Sequence, residues 1–220
     1  MQGLIFAGGF GTRINKGLKN KKLKPLIKIN NQEIILKIIK FYLKHGVKDI
    51  ILLGGYKFRE LDKFAKKQKK LNIKAINTGL YTETGGRLLL ASKYINSKNF
   101  LLTYGDTIVD FNLSKSIKKK NKNNFVFTLF KHKINYGVFD FKNSKIINIS
   151  EKKHEISINA GFYVLDRRVF DFIKSTKDSF EKKIIPKIIN SKIKISYTFT
   201  KYWHPIDTLD DKKKIESELN

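Results

Sequence analysis

The first half of the chain alternates short apolar runs with stretches of helical period, and that alternation limits the folds open to it. Gly3–Ala7 is an apolar run. Residues 32–45 follow, with Ile34, Ile35, Ile38, Ile39 and Tyr42 at helical spacing and Gly46 closing the segment. "VKDIILLGGY" (47–56) predicts a second strand and residues 58–70 an exposed, lysine-laden helix. "IKAIN" (73–77) reads as a third strand, 84–94 as a helix opened by glycines, and "NFLLTYGD" as a fourth strand ending at Asp106. Such an order implies a mostly parallel sheet with right-handed crossovers, and ligands that bind beyond the carboxyl ends of its strands.

After about residue 124 the texture changes. "FVFTLFKH", "YGVFDF", "KIINIS" and "INAGFYVL" are short β-rich runs between turn residues, which predict antiparallel strands and hairpins. Helices are expected near 167–174 and 180–190, then a strand, "KISYTFT", and a loop from Tyr202 into a C-terminal helix. No repeat or linker interrupts the chain. Residues 1–220 are therefore expected to form one α/β domain, a mixed and mostly parallel sheet flanked by helices with a small antiparallel elaboration.

A chain of 220 residues, 41% hydrophobic and with 17 Phe, is long and apolar enough to bury a core. No run of 18 apolar residues is present, so no membrane span is expected. Met1 leads straight into a strand-like run without a basic stretch, so no signal peptide is expected and the protein is read as cytoplasmic. Zero cysteines exclude disulfides, thiolate metal sites and cysteine nucleophiles.

The net charge of +27 raises the possibility of a nucleic-acid partner. Its make-up argues against one. Of 46 basic residues only five are arginine (Arg13, Arg59, Arg87, Arg167 and Arg168), although arginine is the better reader of phosphates and bases. The lysines are dispersed among Asn, Ile and Phe, as in "KKKNKNN" (118–124), a bias that A- and T-rich codons produce without selection for function. The positive field would still draw in an anionic ligand.

Directly behind the first apolar run stands "GGFGTR" (8–13), with Lys24–Pro25 a short way on. Glycines after a strand let backbone N–H groups approach phosphate oxygens, and Arg13 adds a planar fork suited to phosphate. No Gly-Lys-Ser/Thr follows, so this is not a P-loop; no helix is expected at the glycines, so it is not a dinucleotide fingerprint. A glycine turn after a first strand is common, and the loop alone does not decide the matter.

Five further stretches stand in order along the chain: "TGLYTETGGRL" (78–88), "FLLTYGDTIVD" (100–110), "SEKK" (150–153), "INAGFYVLD" (158–166) and "YWHPIDTLDDKKKIES" (202–217). Together with Gly8–Arg13 and Lys24–Pro25, this set resembles the sugar-1-phosphate nucleotidyltransferases. Within that superfamily the resemblance is nearest to the glucose-1-phosphate cytidylyltransferases. It implies a Rossmann-like nucleotidyltransferase fold, with a nucleotide-binding half of about 1–112 and an acceptor-binding half of about 113–220. It also implies transfer of CMP from CTP to a phosphorylated acceptor with release of pyrophosphate, in the service of a surface glycan. No protein nucleophile is needed; two polyanions must be aligned and charge neutralised.

The resemblance assigns roles residue by residue. Arg13 and Lys24 would be catalytic, Arg13 on the β- and γ-phosphates and Lys24 on the α-phosphate. The nucleotide would be bound by Ala7, Gly8, Gly9, Gly11, Thr12, Arg13, Lys24 and Gly105, and its base read at Thr84, Gly85, Gly86 and Arg87. Mg²⁺ would be the cofactor, held by Asp106 and Asp207, since a hard ion takes carboxylate and phosphate oxygens. The acceptor would meet Tyr136, Gly137, Glu151, Lys152, Asn159 and Gly161. Blander readings stand beside these: Asp106 as a turn cap, Asp207 as the N-cap of the last helix, Glu151 and Lys152 as a solvated pair. Trp203 reads as packing, and His45, His132, His154 and His204 show no metal-ligand spacing.

The chain departs from the cytidylyltransferase pattern in four places. Only 20 residues separate "GGY" (54–56) from "NTG" (77–79), where those enzymes carry an insertion. Thr107 replaces a glycine, Ala160 stands in a glycine's place, and Lys153 where proline follows Glu-Lys. The last three fall near the implied acceptor pocket. They leave open glucose 1-phosphate, another sugar phosphate, or a non-sugar phosphate or phosphonate. The partners expected are CTP and that acceptor, with no nucleic acid, no membrane and a possible homo-oligomer. A guanylyl- or thymidylyltransferase on the same fold is the alternative; a catalytically dead sensor conflicts with the intact Arg13, Lys24, Asp106 and Asp207.

Overall fold

The structure is a computed structural model that describes residues 1–151 and 154–218. In chain order the strands are β1 (Gln2–Ala7), β2 (Lys28–Ile29), β3 (Gln32–Glu33), β4 (Asp49–Gly54), β5 (Asn72–Asn77), β6 (Asn99–Tyr104) and β7 (Thr107–Asp110). The second half contributes β8 (Asn124–Ile134), β9 (Val138–Lys142), β10 (Lys145–Ser150), β11 (His154–Asp166), β12 (Lys194–Thr200) and β13 (Tyr202–Pro205). The helices are α1 (Thr12–Asn15), α2 (Ile34–Lys44), α3 (Phe58–Lys67), α4 (Thr84–Ala91), α5 (Leu113–Lys119), α6 (Ile185–Ile189) and α7 (Leu209–Glu218).

Seven strands form one sheet in the order β12-β8-β11-β6-β1-β4-β5. β1 pairs in parallel with both β4 and β6, and β5 continues in parallel beyond β4. Only β11 runs against the rest, antiparallel to β6 on one side and to β8 on the other, while β12 lies parallel to β8. The chain moves outward from β1 through β4 to β5, then crosses back to β6 on the other side of β1. That reversal opens a crevice at the carboxyl ends of β1, β4 and β6, the place where open α/β sheets hold ligands.

Alternation along each strand divides the core in two. Ile5, Ile50, Leu52 and Leu101 face one layer, where α2 lays down Ile34, Ile35, Ile38, Ile39 and Tyr42 and α7 adds Ile215. Leu4, Phe6, Ile51, Leu53, Phe100 and Leu102 face the other, against Leu88 and Ala91 of α4 and Phe180, Ile184 and Ile188. A sheet buried on both faces explains why its inner strands are continuous apolar runs.

Several boundaries differ from the sequence reading, each for a physical reason. α2 starts at Ile34 because Gln32 and Glu33 pair with β2. The stretch after Ala91 tightens into a 3₁₀ turn, Ser92–Tyr94, and Arg167–Phe172 is 3₁₀ rather than α. Tyr202–Pro205, read as loop, is a strand antiparallel to β7. A helix does begin behind the glycines: α1, a single turn that starts at Thr12 with Gly11 at its cap in the left-handed region, φ 59°. α5 was not foreseen at all; Asn112 caps it by accepting from the Lys115 amide.

Candidate active site

The loops after β1, β5 and β6, with Lys24 and Pro25, close around a cleft of about 570 Å³, enough for a nucleotide-sized ligand. Its floor depends on Arg87. The guanidinium turns inward and donates to the carbonyls of Gly54 (3.0 Å), Gly79 (2.9 Å) and Gly8 (3.1 Å) and to Thr78 Oγ1 (2.7 Å). Burial pulls its pKa below the usual arginine value. One side chain thus ties three strand-end loops together. Gly8 is required for this: a Cβ there would lie 2.3 Å from Arg87 NH1 and 2.8 Å from the Gly55 amide nitrogen.

At one end of the cleft four charges meet. Lys24, in a 3₁₀ turn fixed by Pro25, is buried, and its ammonium donates to Asp106 Oδ2 at 2.7 Å and to Asp207 Oδ1 at 2.6 Å. Arg13 NH1 lies 2.7 Å from the other Asp207 oxygen, on a side chain that remains 71% exposed. Asp106 stands one residue beyond β6, after Gly105, whose amide donates to the Phe6 carbonyl of β1. Asp207 arrives from the other end of the chain, carried by the pairing of β13 with β7. It is not the cap of the last helix. Thr208 takes that role, its hydroxyl accepting from the Asp211 amide while Asp211 accepts from the Asp207 and Thr208 amides. Asp207 is left free to face the cleft.

No group of three or more His, Cys, Asp or Glu that could hold a metal exists among the described residues. Asp106 and Asp207, close enough to share one ammonium, nonetheless fit an ion of the Mg²⁺ kind, which takes one or two carboxylates and completes its shell with phosphate oxygens and water.

A third carboxylate organises the side wall. Glu181 accepts from Thr84 Oγ1 and from Ser179 Oγ, both at 2.8 Å, and from the Tyr104 hydroxyl. Burial, then the neighbouring Tyr163 and Glu181, push the Tyr104 phenol far above its ordinary pKa. Thr84 in turn accepts from the Phe180 amide. Glu181 therefore binds the start of α4 to the end of β6.

Of the residues the sequence singled out, Ala7, Gly8, Gly9, Gly11, Thr12, Arg13, Lys24, Thr84, Arg87, Gly105, Asp106 and Asp207 all line the cleft. Gly85 and Gly86 do not. They are buried in α4 against the 176–178 turn, where a Cβ on Gly86 would sit 2.3 Å from the Thr176 carbonyl oxygen. Their smallness serves helix packing, and Arg87 points into the protein framework. The expected acceptor residues lie elsewhere. Tyr136 is exposed on the turn between β8 and β9, and Gly137 lies against Glu151. Asn159 bonds the Tyr163 hydroxyl at 2.6 Å, and Gly161 backs onto the ring of Tyr104, a cleft residue. Lys152, like Lys153, lies outside the described residues. Sequence reasoning missed Phe10, Tyr81, Tyr104 and Lys177, all on the cleft. It also missed Glu181, which nothing local marks because its partners are up to 97 residues away.

The nucleotidyl transferase family model matches residues 2–219, nearly the whole chain. The chain belongs to this family. The nucleotidyl transferase is 27% identical over 244 residues to the glucose-1-phosphate cytidylyltransferase of Salmonella typhimurium, covering 98% of this chain and 95% of that one. It is 31% identical over 189 residues to the D-glycero-alpha-D-manno-heptose 1-phosphate guanylyltransferase of Campylobacter jejuni, covering 83% and 84%. Among solved structures it resembles HddC from Yersinia pseudotuberculosis complexed with GMP-PN, with a TM-score of 0.77 at 25% identity and coverage of 100% and 99%. The protein is thus an enzyme of nucleotide and sugar-phosphate chemistry, and the proteins it is similar to include both cytidylyl- and guanylyltransferases. No helix among the described residues is long and apolar enough to cross a membrane.

Proposed function

We propose that this nucleotidyl transferase is a cytidylyltransferase. An oxygen of a phosphorylated acceptor attacks the α-phosphorus of CTP. The bond from that phosphorus to the β-bridging oxygen breaks, pyrophosphate leaves, and CMP stays joined to the acceptor. The observation that carries the chemistry is the Lys24 ammonium, held within 2.7 Å of two carboxylates beside a glycine loop. Such a site offers charge and alignment and needs no nucleophile of its own.

Lys24 meets the charge that builds on the α-phosphate, and Arg13 with the Gly8–Gly11 amides holds the β- and γ-phosphates. Asp106 and Asp207 hold Mg²⁺, which when bound neutralises charge on the reacting phosphates. The acceptor, a sugar 1-phosphate such as glucose 1-phosphate or a related phosphate or phosphonate, is assigned to Tyr136, Gly137, Glu151, Lys152, Asn159 and Gly161, on the side where Gly161 backs onto Tyr104.

Cytidine is supported by the full-length similarity to cytidylyltransferases from Salmonella typhimurium and Bacillus subtilis. The guanylyl alternative is favoured by the Yersinia protein, similar over its whole length and complexed with GMP-PN. Pyrophosphate release across CTP, GTP, UTP, dTTP and ATP with a panel of phosphorylated acceptors separates them. CTP is expected to exceed the others by up to roughly 10⁴-fold, the range reached when a wrong base leaves buried polar groups unpaired. Equal turnover of GTP refutes the cytidylyl reading and keeps the family.

A further inference from the structure

The cleft carries two exposed aromatic rings that neither the phosphate chemistry nor the fold requires. Phe10 stands between Gly9 and Gly11 of the β1–α1 loop and is 41% exposed; Tyr81, in the β5–α4 loop, is 73% exposed. Their ring centroids lie 6.2 Å apart, so the phosphate loop and the opposite wall touch through them. Phe10 is backed by Tyr56, its centroid 5.2 Å away, and the Tyr56 amide is bonded to the Gly8 carbonyl. Both rings line the cleft that holds Arg13 and Lys24.

A single exposed aromatic is ordinary on a protein surface. Two from distant segments, in contact on the rim of the cleft that holds Arg13 and Lys24, with Phe10 supported from behind by Tyr56, are a different matter. Left in water they cost free energy; covered by a flat ligand they recover it. The ligand's position follows from the charges. A nucleotide whose phosphates lie on the Gly8–Arg13 loop has its base a few ångströms further along the same cleft, where the wall from Leu80 to Thr84 faces Phe10. We infer that Phe10 and Tyr81 form the stacking platform for the nucleobase. This inference rests on the nucleotide-transfer reading above and adds a division of labour to it. Stacking accepts any base, so the platform supplies affinity, while selection among bases falls to polar groups at the ring edge.

The test compares Phe10→Ala, Tyr81→Ala and Tyr81→Phe, each checked for an unchanged melting profile, by calorimetric titration with CTP and with inorganic tripolyphosphate. Each alanine variant is expected to weaken CTP about tenfold, the scale of aromatic stacking on one base. Tripolyphosphate, which has no base, is expected to bind all variants as it binds wild type. Tyr81→Phe recovers most of the affinity lost in Tyr81→Ala. Equal loss for CTP and tripolyphosphate means that the rings merely shape the loop, and overturns the platform. Unchanged CTP affinity in both alanine variants, with wild type turning CTP over normally, overturns the platform alone. A wild type that binds no nucleoside triphosphate overturns both readings, and one that uses GTP moves the same titration to GTP.

Discussion

Replacing Lys24 with methionine removes one charge from a site where four are interlocked. The lost ammonium donates to Asp106 at 2.7 Å and to Asp207 at 2.6 Å, from a side chain only 11% exposed. Truncating one partner of a fully buried pair costs about 3–5 kcal/mol. Here the carboxylates keep 31% and 25% of their side-chain surface in water, and Asp207 keeps Arg13, so about 1–2 kcal/mol is the better figure. For a chain of 220 residues that corresponds to a fall in Tm of roughly 2–8 °C. With the ammonium gone, the same two carboxylates are open to a divalent cation. Mg²⁺ added alone is then expected to raise the Tm of Lys24→Met, by about 1 kcal/mol of stability at five times its Kd. The wild type, whose own cation already occupies the pair, gains less. Thermal unfolding with and without MgCl₂ at constant ionic strength measures both. Turnover by the variant is expected to fall by about 10²–10³, the cost of deleting one donor to developing charge. Identical melting of variant and wild type with and without Mg²⁺, or an equal Mg²⁺ response from the two, refutes the argument.

Two further outcomes follow from packing and charge away from the catalytic end. Gly86→Ala puts a Cβ 2.3 Å from the Thr176 carbonyl oxygen and 2.5 Å from its Cα, backbone atoms that cannot swing aside, so urea unfolding is expected to show a loss of about 1–3 kcal/mol. Burial pushes the Asp166 carboxyl up, but bonds from Arg168 and Lys120 outweigh it and hold the pKa down at about 2, against an ordinary 3.8. A carboxyl so lowered stabilises the fold above its unfolded value, and that contribution is lost as pH falls from 3.8 through about 2. Asp166→Asn is therefore expected to be less stable at neutral pH and to show a shallower loss across that acid window; an unchanged acid titration of stability counts against the pair.

The parts of this molecule that are local in sequence were readable there. β1, β4 and β6 announce themselves as apolar runs, and the buried face of α2 is written in Ile34, Ile35, Ile38, Ile39 and Tyr42. Parallel strands with neighbouring carboxyl ends then bring Gly8–Arg13, Thr84 and Asp106 together with no further information. What failed was the direction of side chains and the pairing of distant segments. "TGGR" lies beside the cleft as expected, yet the rotation of α4 turns its glycines toward residues 176–178 and its arginine toward four backbone carbonyls. The strand at Tyr202–Pro205 exists because Thr107–Asp110 offers it an edge, a fact about two places nearly a hundred residues apart. α5 carries its signal in Asn112, but the lysine run that follows Ile117 obscured it.

The quartet of Arg13, Lys24, Asp106 and Asp207 cancels to zero, in a molecule whose overall charge is +27. On the proposed chemistry, attraction at a distance and catalysis at contact are therefore assigned to different residues. The lysine-rich periphery sets how often a polyanion arrives, and added salt screens that field within about 10 Å at 0.1 M ionic strength. The interlocked centre, short-ranged and partly dry, is shielded from the same salt. Lysines added to or removed from the periphery would then change the rate of encounter, while the quartet keeps its balance of two positive and two negative charges.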